Sequence, residues 1–357
     1  MADAIVVGAG ICGAAAAHFL ARRGAEVLVL DRAGIALETS RHGEGNVLLC
    51  DKLPGPEREL TIHGRRLWVQ LGERFAEGRV TRKGSLLLSS PGEHPGDATI
   101  DGGPAMEPVP AVDAAHAGAL EPALAAGVNA VLDPDDLQVD PPGMARALLA
   151  GIEVRAGVTV LTADVGRVTL DTGERLAAEH VLVAAGPWSG TLTGLPVQPR
   201  KGQLVALAAP SGLIAHKLIE AAYIASVADD DAGLSIATVV EQTLDGDELL
   251  VGSSRARVGF DPVVDERVTA AMIARAARFV PRVAELPVTR AWCGFRPWLP
   301  DHLPAIGELP TGVWTSTGHE GSGVCLGPIS GLLLAQLICR EPTVVDPSPF
   351  DPRRFQR

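Results

Sequence analysis

The chain has 357 residues, of which 46% are apolar and 21% are charged, and its formal net charge is −12. This is the composition of a globular protein, and the negative charge argues against binding to nucleic acid. The five cysteines are odd in number and no two are spaced as C-x-x-C. We therefore expect no metal site, no iron–sulfur cluster and no disulfide framework, and we expect a reducing, cytoplasmic environment.

The N-terminal residues Met-Ala-Asp lead directly into a β-branched run, without the charged and apolar regions of a signal peptide. The longest apolar run lies near Gly323–Cys339 and contains a proline and two further glycines. It is short for a membrane span, which needs about 20 apolar residues. We expect this run to be a buried helix and not a transmembrane segment.

The first residues predict a strand, a turn, a helix and a second strand. Ala4–Val7 is typical of a buried parallel strand. The small residues of Ala14–Arg23 predict a helix that ends at Gly24, and Glu26–Leu30 predicts the second strand. Asp31 stands at the end of that strand. Together these segments form a complete βαβ unit.

The turn of this unit carries Gly8, Gly10 and Gly13 in the spacing G-x-G-x-x-G. The first glycine permits a tight turn, the second lets the backbone approach a pyrophosphate, and the third lets the helix pack closely on the strand. The helix N-terminus offers N–H groups and a partial positive charge to the phosphates. Asp31 is placed to bind the ribose hydroxyls, which argues against NADP although Arg32 follows. The unit predicts a dinucleotide site without distinguishing FAD from NAD.

The remaining elements alternate between two kinds of domain. Helices are predicted at Glu57–Phe75, Ala270–Phe279 and Ile329–Cys339, and strands at Gly84–Ser89 and within Val158–Ala185 and Leu213–Phe260. The loop Ser90–Pro110, rich in proline, glycine and aspartate, is expected to leave the first domain. We expect an α/β fold in which a Rossmann-type domain (residues 1–78, 137–212 and 289–357) is interleaved with an antiparallel-sheet substrate domain (79–136 and 213–288).

Three later segments carry a resemblance to a known family. They are Ala184–Ser189, Trp292–Asp301 with Pro304–Gly307, and Thr317–Pro328. With the βαβ unit, they resemble the D-amino-acid oxidase superfamily of FAD enzymes. Two more segments, Gly43–Glu57 and Glu241–Asp261, look like those of the flavin subunits of opine oxidase, D-hydroxyproline dehydrogenase and hydrogen cyanide synthase.

The resemblance implies FAD as cofactor. Some relatives bind their flavin covalently, which makes Cys325 a candidate for such a bond, but we expect heat or acid to release FAD intact from this chain. Any iron–sulfur relay would then belong to a partner subunit, since this chain has no cysteine set for a cluster. The cofactor-binding residues it implies are Gly8, Gly10, Ile11, Cys12, Gly13, Asp31, Arg32, Ser40, Arg41, Gly45, Asn46, Val47, Val165, Ala185, Gly186, Trp188, Arg296, Gly318, His319, Glu320, Gly321, Ser322, Gly323 and Val324.

The C-terminal glycine loop, Gly318–Gly327, is expected to lie against the flavin ring. Its glycines let backbone N–H groups approach the ring, and Pro328 is expected to begin a helix whose positive end points at the loop. Such a dipole favours an anionic reduced flavin and so favours hydride acceptance. His319 either holds this loop by hydrogen bonds or contacts the substrate.

Arg296, Tyr223, Arg255 and His319 are the candidate catalytic residues. By the resemblance, Arg296 lies on the substrate side of the flavin, where a guanidinium suits a bidentate grip on a carboxylate. The alternative is a structural arginine that braces the proline-rich turn or pairs with Asp301. Tyr223 is either above the flavin or packed on its strand, and Arg255 either meets an acidic substrate or is a surface charge.

The function predicted is FAD-dependent oxidation of an amino acid or secondary amine by hydride transfer from the α-carbon to flavin N5. The substrate class suggested is a D-amino acid or a compound like D-hydroxyproline or an opine. One alternative is a flavin-carrying subunit of an electron-transfer complex. Another is an oxidase of a 2-hydroxy acid on the same fold, because a fold alone does not decide function.

Overall fold

The computed structural model describes residues 2–75, 78–89, 111–224 and 233–355. The predicted loop Ser90–Pro110 lies outside the described residues, as does part of the stretch Leu213–Phe260. The α-helices are α1 Ile11–Ala21, α2 Thr39–His42, α3 Pro56–Arg74, α4 Ala114–Leu120, α5 Pro141–Leu148, α6 Ser189–Thr193, α7 Glu266–Ala276 and α8 Gly323–Ile338. The strands are β1 Ala4–Val7, β2 Val27–Asp31, β3 Asn46–Val47, β4 Val80–Arg82, β5 Ser85–Ser89, β6 Ala111–Val112, β7 Asn129–Asp133, β8 Leu137–Val139, β9 Glu153–Ala156, β10 Val160–Asp164, β11 Arg167–Leu170, β12 Arg175–Ala177, β13 His180–Val183, β14 Gln198–Ala208, β15 Lys217–Glu220, β16 Leu234–Gln242, β17 Glu248–Ala256, β18 Val288–Trp298, β19 Ala305–Glu308 and β20 Trp314–Thr317.

The first layer is a six-stranded sheet in the order β19-β20-β13-β1-β2-β9. Ala4 pairs with Val27 on one side and with His180 on the other, and all three strands are parallel. Nearly every residue of these three strands is buried. This burial is expected for strands that are covered on both faces.

Alternate residues of β1 belong to different cores. Ala4 and Val6 pack in the core that holds α1, α3 and α8, whereas Ile5 and Val7 pack with the three-stranded sheet β10-β11-β12. The two-residue period of a strand produces this division. The glycine turn therefore follows the carboxyl end of β1, an interior strand of a sheet that is packed on both faces.

Helices α1 and α8 pack very closely on each other. A side chain at Gly331 would lie 2.6 Å from the backbone of Ala15 and Ala16. Small residues on both helices therefore bring α8 against α1, which places the N-termini of the two helices at the same end of the first layer.

Among the described residues, the stretch Glu320–Ile338 is long and apolar enough to cross a membrane by length and composition. Of its most apolar window, 56% is buried inside the protein. Leu326, Ile329, Leu333 and Leu334 pack in the same core as α1 and α3. This packing accounts for the apolar character of the helix.

The second layer is an eight-stranded sheet in the order β18-β14-β17-β16-β15-β5-β7-β6. Its pairings are antiparallel except for the parallel pair β5 and β15. Helix α7 packs against it through Val268, Met272 and Ala276 in a separate apolar core. A smaller sheet, β3-β8-β4, completes the described strands.

The predicted α/β fold is confirmed, with a parallel Rossmann-like sheet and separate antiparallel sheets. The predicted domain boundaries differ from the sheet pairings at β14 and β18. Both strands belong to the eight-stranded sheet, whereas the prediction assigns residues 198–208 and 289–298 to the nucleotide-binding domain. The two strands pair from Gln198 with Trp298 to Leu207 with Val288. This contact joins segments that are far apart in sequence, so local patterns do not contain it.

Candidate active site

A cavity of about 420 Å³ runs from the glycine turn of the first layer to the inner face of the second. Gly10 and Asp31 lie in its lining near the first layer, and Leu204, Tyr223 and Arg296 contribute from the second. The cavity thus begins where a dinucleotide is expected and reaches the predicted substrate domain.

The three glycines of the motif have different structural roles. Gly8 has φ +111° and its Cβ would overlap the carbonyl oxygen of Ala184, while a Cβ on Gly13 would overlap the carbonyl oxygen of Gly8. A Cβ on Gly10 would meet one atom, Ser40 Oγ, at 3.2 Å. Gly8 and Gly13 are therefore required by the fold, whereas the space at Gly10 opens toward the cavity.

Asp31 lines the cavity and also orders the turn around it. Its Oδ2 accepts a hydrogen bond from the N–H of Ala9 at 2.7 Å, and its Oδ1 accepts from the N–H groups of Ala33 and Gly34 at 2.8 Å. Oδ2 has a second lone pair without a donor among these contacts, so a ribose hydroxyl can still donate to it. Arg32 follows and lies over the Trp188 ring, with its guanidinium carbon 3.7 Å from the ring centroid.

The start of α8 differs from the prediction. The helix begins at Gly323, and Pro328 lies inside it. A proline there has no N–H for the carbonyl of Val324, four residues earlier. The indole N–H of Trp68 donates instead to the carbonyls of Val324 and Cys325, at 3.1 Å each. This substitute donor lets the helix extend toward the cavity, where Gly323 and Val324 line the wall.

His319 is held by hydrogen-bonding partners on both sides of its ring. Its Nε2 lies 2.9 Å from Ser330 Oγ and its Nδ1 lies 3.8 Å from Cys12 Sγ. Burial lowers the pKa of His319 to about 4. A neutral, fixed imidazole of this kind fits the loop-holding alternative, although the residue also lines the cavity.

Glu320 is a buried carboxylate surrounded by basic groups. It has a positive φ of 46°, accepts a hydrogen bond from Arg200 Nη1 and lies 3.2 Å from His302 Nδ1. Burial alone would raise its pKa, but the hydrogen bond from His302 and the charges of Arg200 and Arg255 outweigh burial and lower the pKa to about 2. The carboxylate therefore stays charged and anchors the loop that precedes α8.

Arg296 is half-buried in the cavity lining. Its Nη1 donates to the carbonyl of Ser254 at 3.0 Å, and within the described residues it makes no ion pair with a carboxylate. The expected alternative partner, Asp301, is instead paired with Arg354 at 2.6 Å. Burial, together with the neighbouring charge of Arg255, lowers the pKa of Arg296. The guanidinium is thus a half-buried cation that faces the cavity without a carboxylate partner among the described residues.

Tyr223 and Arg296 converge on Gly321 at the start of the C-terminal loop. A Cβ on Gly321 would lie 3.8 Å from Tyr223 Oη and 3.8 Å from Arg296 Nε. Arg255 is buried, with its guanidinium 4.4 Å from the Tyr223 ring centroid and its Nε 4.0 Å from Glu320. Arg255 is not a surface charge, so that alternative is wrong. It lies outside the cavity lining and behind Tyr223, and its contact with an acidic substrate stays a prediction.

The two cysteines at the cavity are protonated thiols. Burial raises the pKa of Cys12 and of Cys325 to about 12. Because the thiolate is the nucleophile, neither thiol is activated for a covalent bond to a flavin. Among the described residues there is no group of three or more His, Cys, Asp or Glu side chains that could hold a metal.

Most of the predicted cofactor residues lie on the cavity wall. Val165 does not: it is 66% exposed in the turn between β10 and β11, and the residues of this region that line the cavity are 158–161. Four further predicted cofactor residues are outside the lining: Gly13, Arg41, Val47 and Gly318. The predicted catalytic residue Arg255 is outside it as well. Sequence reasoning missed several lining residues: Glu44, Asp51, Lys52, Ser253, Ser316 and Thr317.

These features define a dinucleotide-dependent oxidoreductase. The family model described as "DAO: FAD dependent oxidoreductase" matches residues 3–337, so the chain belongs to this family and FAD is its cofactor. The residues present fit FAD. Gly10 leaves space at the start of α1, and among the described residues no partner bonds the buried oxygens Asn46 Oδ1 and Ser316 Oγ of the cavity wall.

Several relatives span most of the chain. Glycine oxidase from Geobacillus kaustophilus is 29% identical over 377 residues, covering 98% of this chain and 96% of that protein. The crystal structure of that organism's glycine oxidase has a TM-score of 0.83 and 27% identity, and the match covers 98% of both chains. The bifunctional protein ThiO/ThiG from Nostoc sp. is 29% identical over 95% of this chain, which spans 53% of that protein.

A subunit of hydrogen cyanide synthase, one of the enzymes whose flavin subunits the sequence resembles, is also similar to this chain. The hydrogen cyanide synthase subunit HcnC from Pseudomonas aeruginosa is 29% identical over 62% of this chain and 54% of its own length. The D-amino-acid oxidase assignment made from the sequence is confirmed at the level of the family.

Proposed function

We propose that this chain oxidises an amino acid that carries a primary or secondary amine, removing the hydrogen from its α-carbon. The observation that carries the proposal is Arg296, a half-buried guanidinium on the cavity wall without an ion-pair partner among the described residues. A carboxylate ligand would neutralise this charge and meet the planar donor set with two oxygens.

The neighbouring groups would complete the grip on the substrate carboxylate. Tyr223 Oη and Arg296 Nε both lie near Gly321, so a carboxylate between them would be held beside the C-terminal loop. Bound FAD supplies the oxidant, with its N5 as the acceptor of the α-hydrogen as hydride. The protein's contribution is then to fix the substrate and exclude water, which are effects of position and preorganised charge.

The relatives support an amino-acid substrate. Glycine oxidase is the name of proteins that align over almost the whole chain at 26–29% identity. The same chain contributes the glycine turn, Arg296 and Tyr223, which favours a complete site over a flavin carrier that depends on another subunit.

Steady-state turnover tests the proposal. The isolated FAD-loaded chain is mixed with an artificial dye acceptor and one compound at a time. The panel consists of glycine, N-methylglycine, both enantiomers of proline and of alanine, and the 2-hydroxy acid lactate. We expect at least one amino acid to support turnover and lactate to be inactive. Turnover with lactate alone, or with no member of the panel, would overturn the proposal. A parallel assay in air shows whether oxygen replaces the dye.

A further inference from the structure

Glu44 places a carboxylate oxygen on the wall of the same cavity. The side chain is 12% exposed, and its Oε1 is buried without a hydrogen-bond partner in the described part of the chain. The other oxygen, Oε2, accepts hydrogen bonds from Asn46 Nδ2 at 2.7 Å and Lys217 Nζ at 2.9 Å. One oxygen is thus fixed by the protein while the other is left for a donor in the cavity.

Lys217 keeps this carboxylate in place and is itself fixed. It is 2% exposed and also lies 3.3 Å from Glu241, which is fully buried. Burial alone would lower the pKa of Lys217, but the charges of Glu241 and Glu44 raise it. The lysine therefore remains an ammonium, and its two contacts define the orientation of Glu44.

Glu44 and Arg296 lie beside positions 252 and 254 of β17, which are two residues apart. Glu44 Oε1 is 3.0 Å from the site of a Cβ on Gly252, and Arg296 Nη1 is 3.0 Å from the carbonyl oxygen of Ser254. Both side chains line the same cavity, and the charge of Glu44 raises the pKa of Arg296 against the effect of burial. The carboxylate oxygen without a partner and the guanidinium therefore present opposite charges to one small molecule in this cavity.

We propose that Glu44 binds the amine of the substrate, so that Arg296 and Glu44 together recognise the zwitterion of an α-amino acid. This inference rests on the proposed function and adds the second recognition point. The bound ammonium first releases one proton to solvent, because loss of hydride requires the lone pair of the neutral amine. As the α-hydrogen then leaves with its electron pair for the flavin, that lone pair forms the C=N bond and the nitrogen becomes a cationic iminium. A carboxylate beside it stabilises that developing charge. A 2-hydroxy acid has no such cation, so Glu44 selects against it.

The test measures recognition of the substrate's amine separately from recognition of its carboxylate. Wild type, Glu44→Gln and Glu44→Asp are compared with Glu153→Gln, which changes an exposed carboxylate on β9. Anaerobic flavin reduction by glycine, N-methylglycine and D-proline reports binding through carboxylate and amine. Propionate, a carboxylate without an amine, is titrated by its effect on the flavin spectrum and reports the Arg296 end alone. FAD content is measured for each protein.

We expect Glu44→Gln to retain FAD, to lose roughly 10- to 100-fold in the efficiency of reduction by the amino acids, and to bind propionate within about threefold of wild type. Glu44→Asp should recover part of the loss, and Glu153→Gln should match wild type. Unchanged reduction of Glu44→Gln would overturn the inference and leave the proposed function standing. So would an equal loss of propionate binding, or purification of both Glu44 variants without FAD. Wild type that neither binds propionate nor is reduced by any amino acid would overturn both.

Discussion

At the scale of single residues, the three motif glycines show why a shared pattern does not mean a shared role. Gly13 leaves no space for a Cβ beside the backbone of Gly8, while Gly10 meets only a serine hydroxyl at 3.2 Å. The close packing predicted at Gly13 is visible in the structure, whereas the approach of a pyrophosphate at Gly10 stays a prediction. Sequence reasoning did not reveal that Gly10 could be changed without rebuilding the turn.

This difference predicts that Gly10→Ala weakens FAD binding while the apoprotein keeps its melting temperature. A methyl group that overpacks a fitted site costs about 1–3 kcal/mol, or roughly 5- to 150-fold in Kd. Gly13→Ala should instead lower the melting temperature of the apoprotein. Gly118→Ala on α4, where a Cβ meets no atom within 4 Å, is the control. FAD titration measures the Kd of each variant, and thermal melts measure the stability of each apoprotein. Normal FAD affinity in Gly10→Ala would refute the placing of Gly10 beside the bound FAD.

For Arg296, we expect truncation to damage flavin reduction and not the fold. Loss of one partner of a buried charge pair costs about 2–5 kcal/mol, which is roughly 30- to 5,000-fold in kcat/KM. Arg296→Lys should recover only part, since an ammonium lacks the planar two-point contact. Stopped-flow reduction is measured beside FAD content and melting curves. Normal reduction by a fully loaded Arg296→Ala protein would remove this residue from the site.

His319 predicts a pH dependence of stability. Its pKa is about 4 in the folded protein and 6.5 as the ordinary value, so the unfolded chain binds the proton more readily. Stability from the neutral imidazole is therefore complete above pH 6.5 and is lost as the pH falls toward 4, by up to about 3 kcal/mol.

Melting curves at pH 7 and pH 4.5 test whether the stability falls at the lower pH as predicted. His319→Gln should lose less stability over that interval than wild type, while His116→Gln, on an exposed part of α4, should behave like wild type. Equal acid sensitivity of wild type and His319→Gln would show that this imidazole does not contribute.

At the scale of elements, α8 was predicted to begin at Pro328, whereas it begins five residues earlier, at Gly323. Proline commonly begins a helix, and the sequence gives no local sign that Trp68 supplies the missing donor from 260 positions away. The βαβ unit was predictable because its signals are contiguous. The pairing of β14 with β18 and the position of Val165 were not, because they depend on tertiary contacts.

The Trp68 donor predicts a coupling with Pro328. Trp68→Phe leaves the buried carbonyl of Val324 without its indole donor, at a cost of about 1–3 kcal/mol. Pro328→Ala restores a backbone N–H to that carbonyl, so the hydrogen-bond part of the penalty should shrink in the Pro328→Ala background. Both backgrounds share any packing loss at position 68. A double-mutant cycle from denaturant unfolding measures the coupling, and additive effects would show that the two donors do not substitute for each other.

At the scale of the whole molecule, the cavity joins two layers that the chain visits in turn. The first layer, recognisable from the sequence, supplies the dinucleotide turn, and the second supplies Tyr223 and places Arg296 on β18. Glu44, Lys217 and Glu241 come from three distant segments, so their contact with one another follows from the fold and was not predicted. Of the three, Glu44 lines the cavity.

Anaerobic titration of the isolated FAD-loaded chain tests the central claim most directly. Each amino acid of the panel is added without oxygen while the absorbance of oxidised flavin is followed and the product is identified. We predict complete bleaching by at least one amino acid, with about one oxo acid formed per flavin after the imine hydrolyses. A fully loaded chain whose flavin stays oxidised with every amino acid, yet bleaches with lactate, would contradict the account.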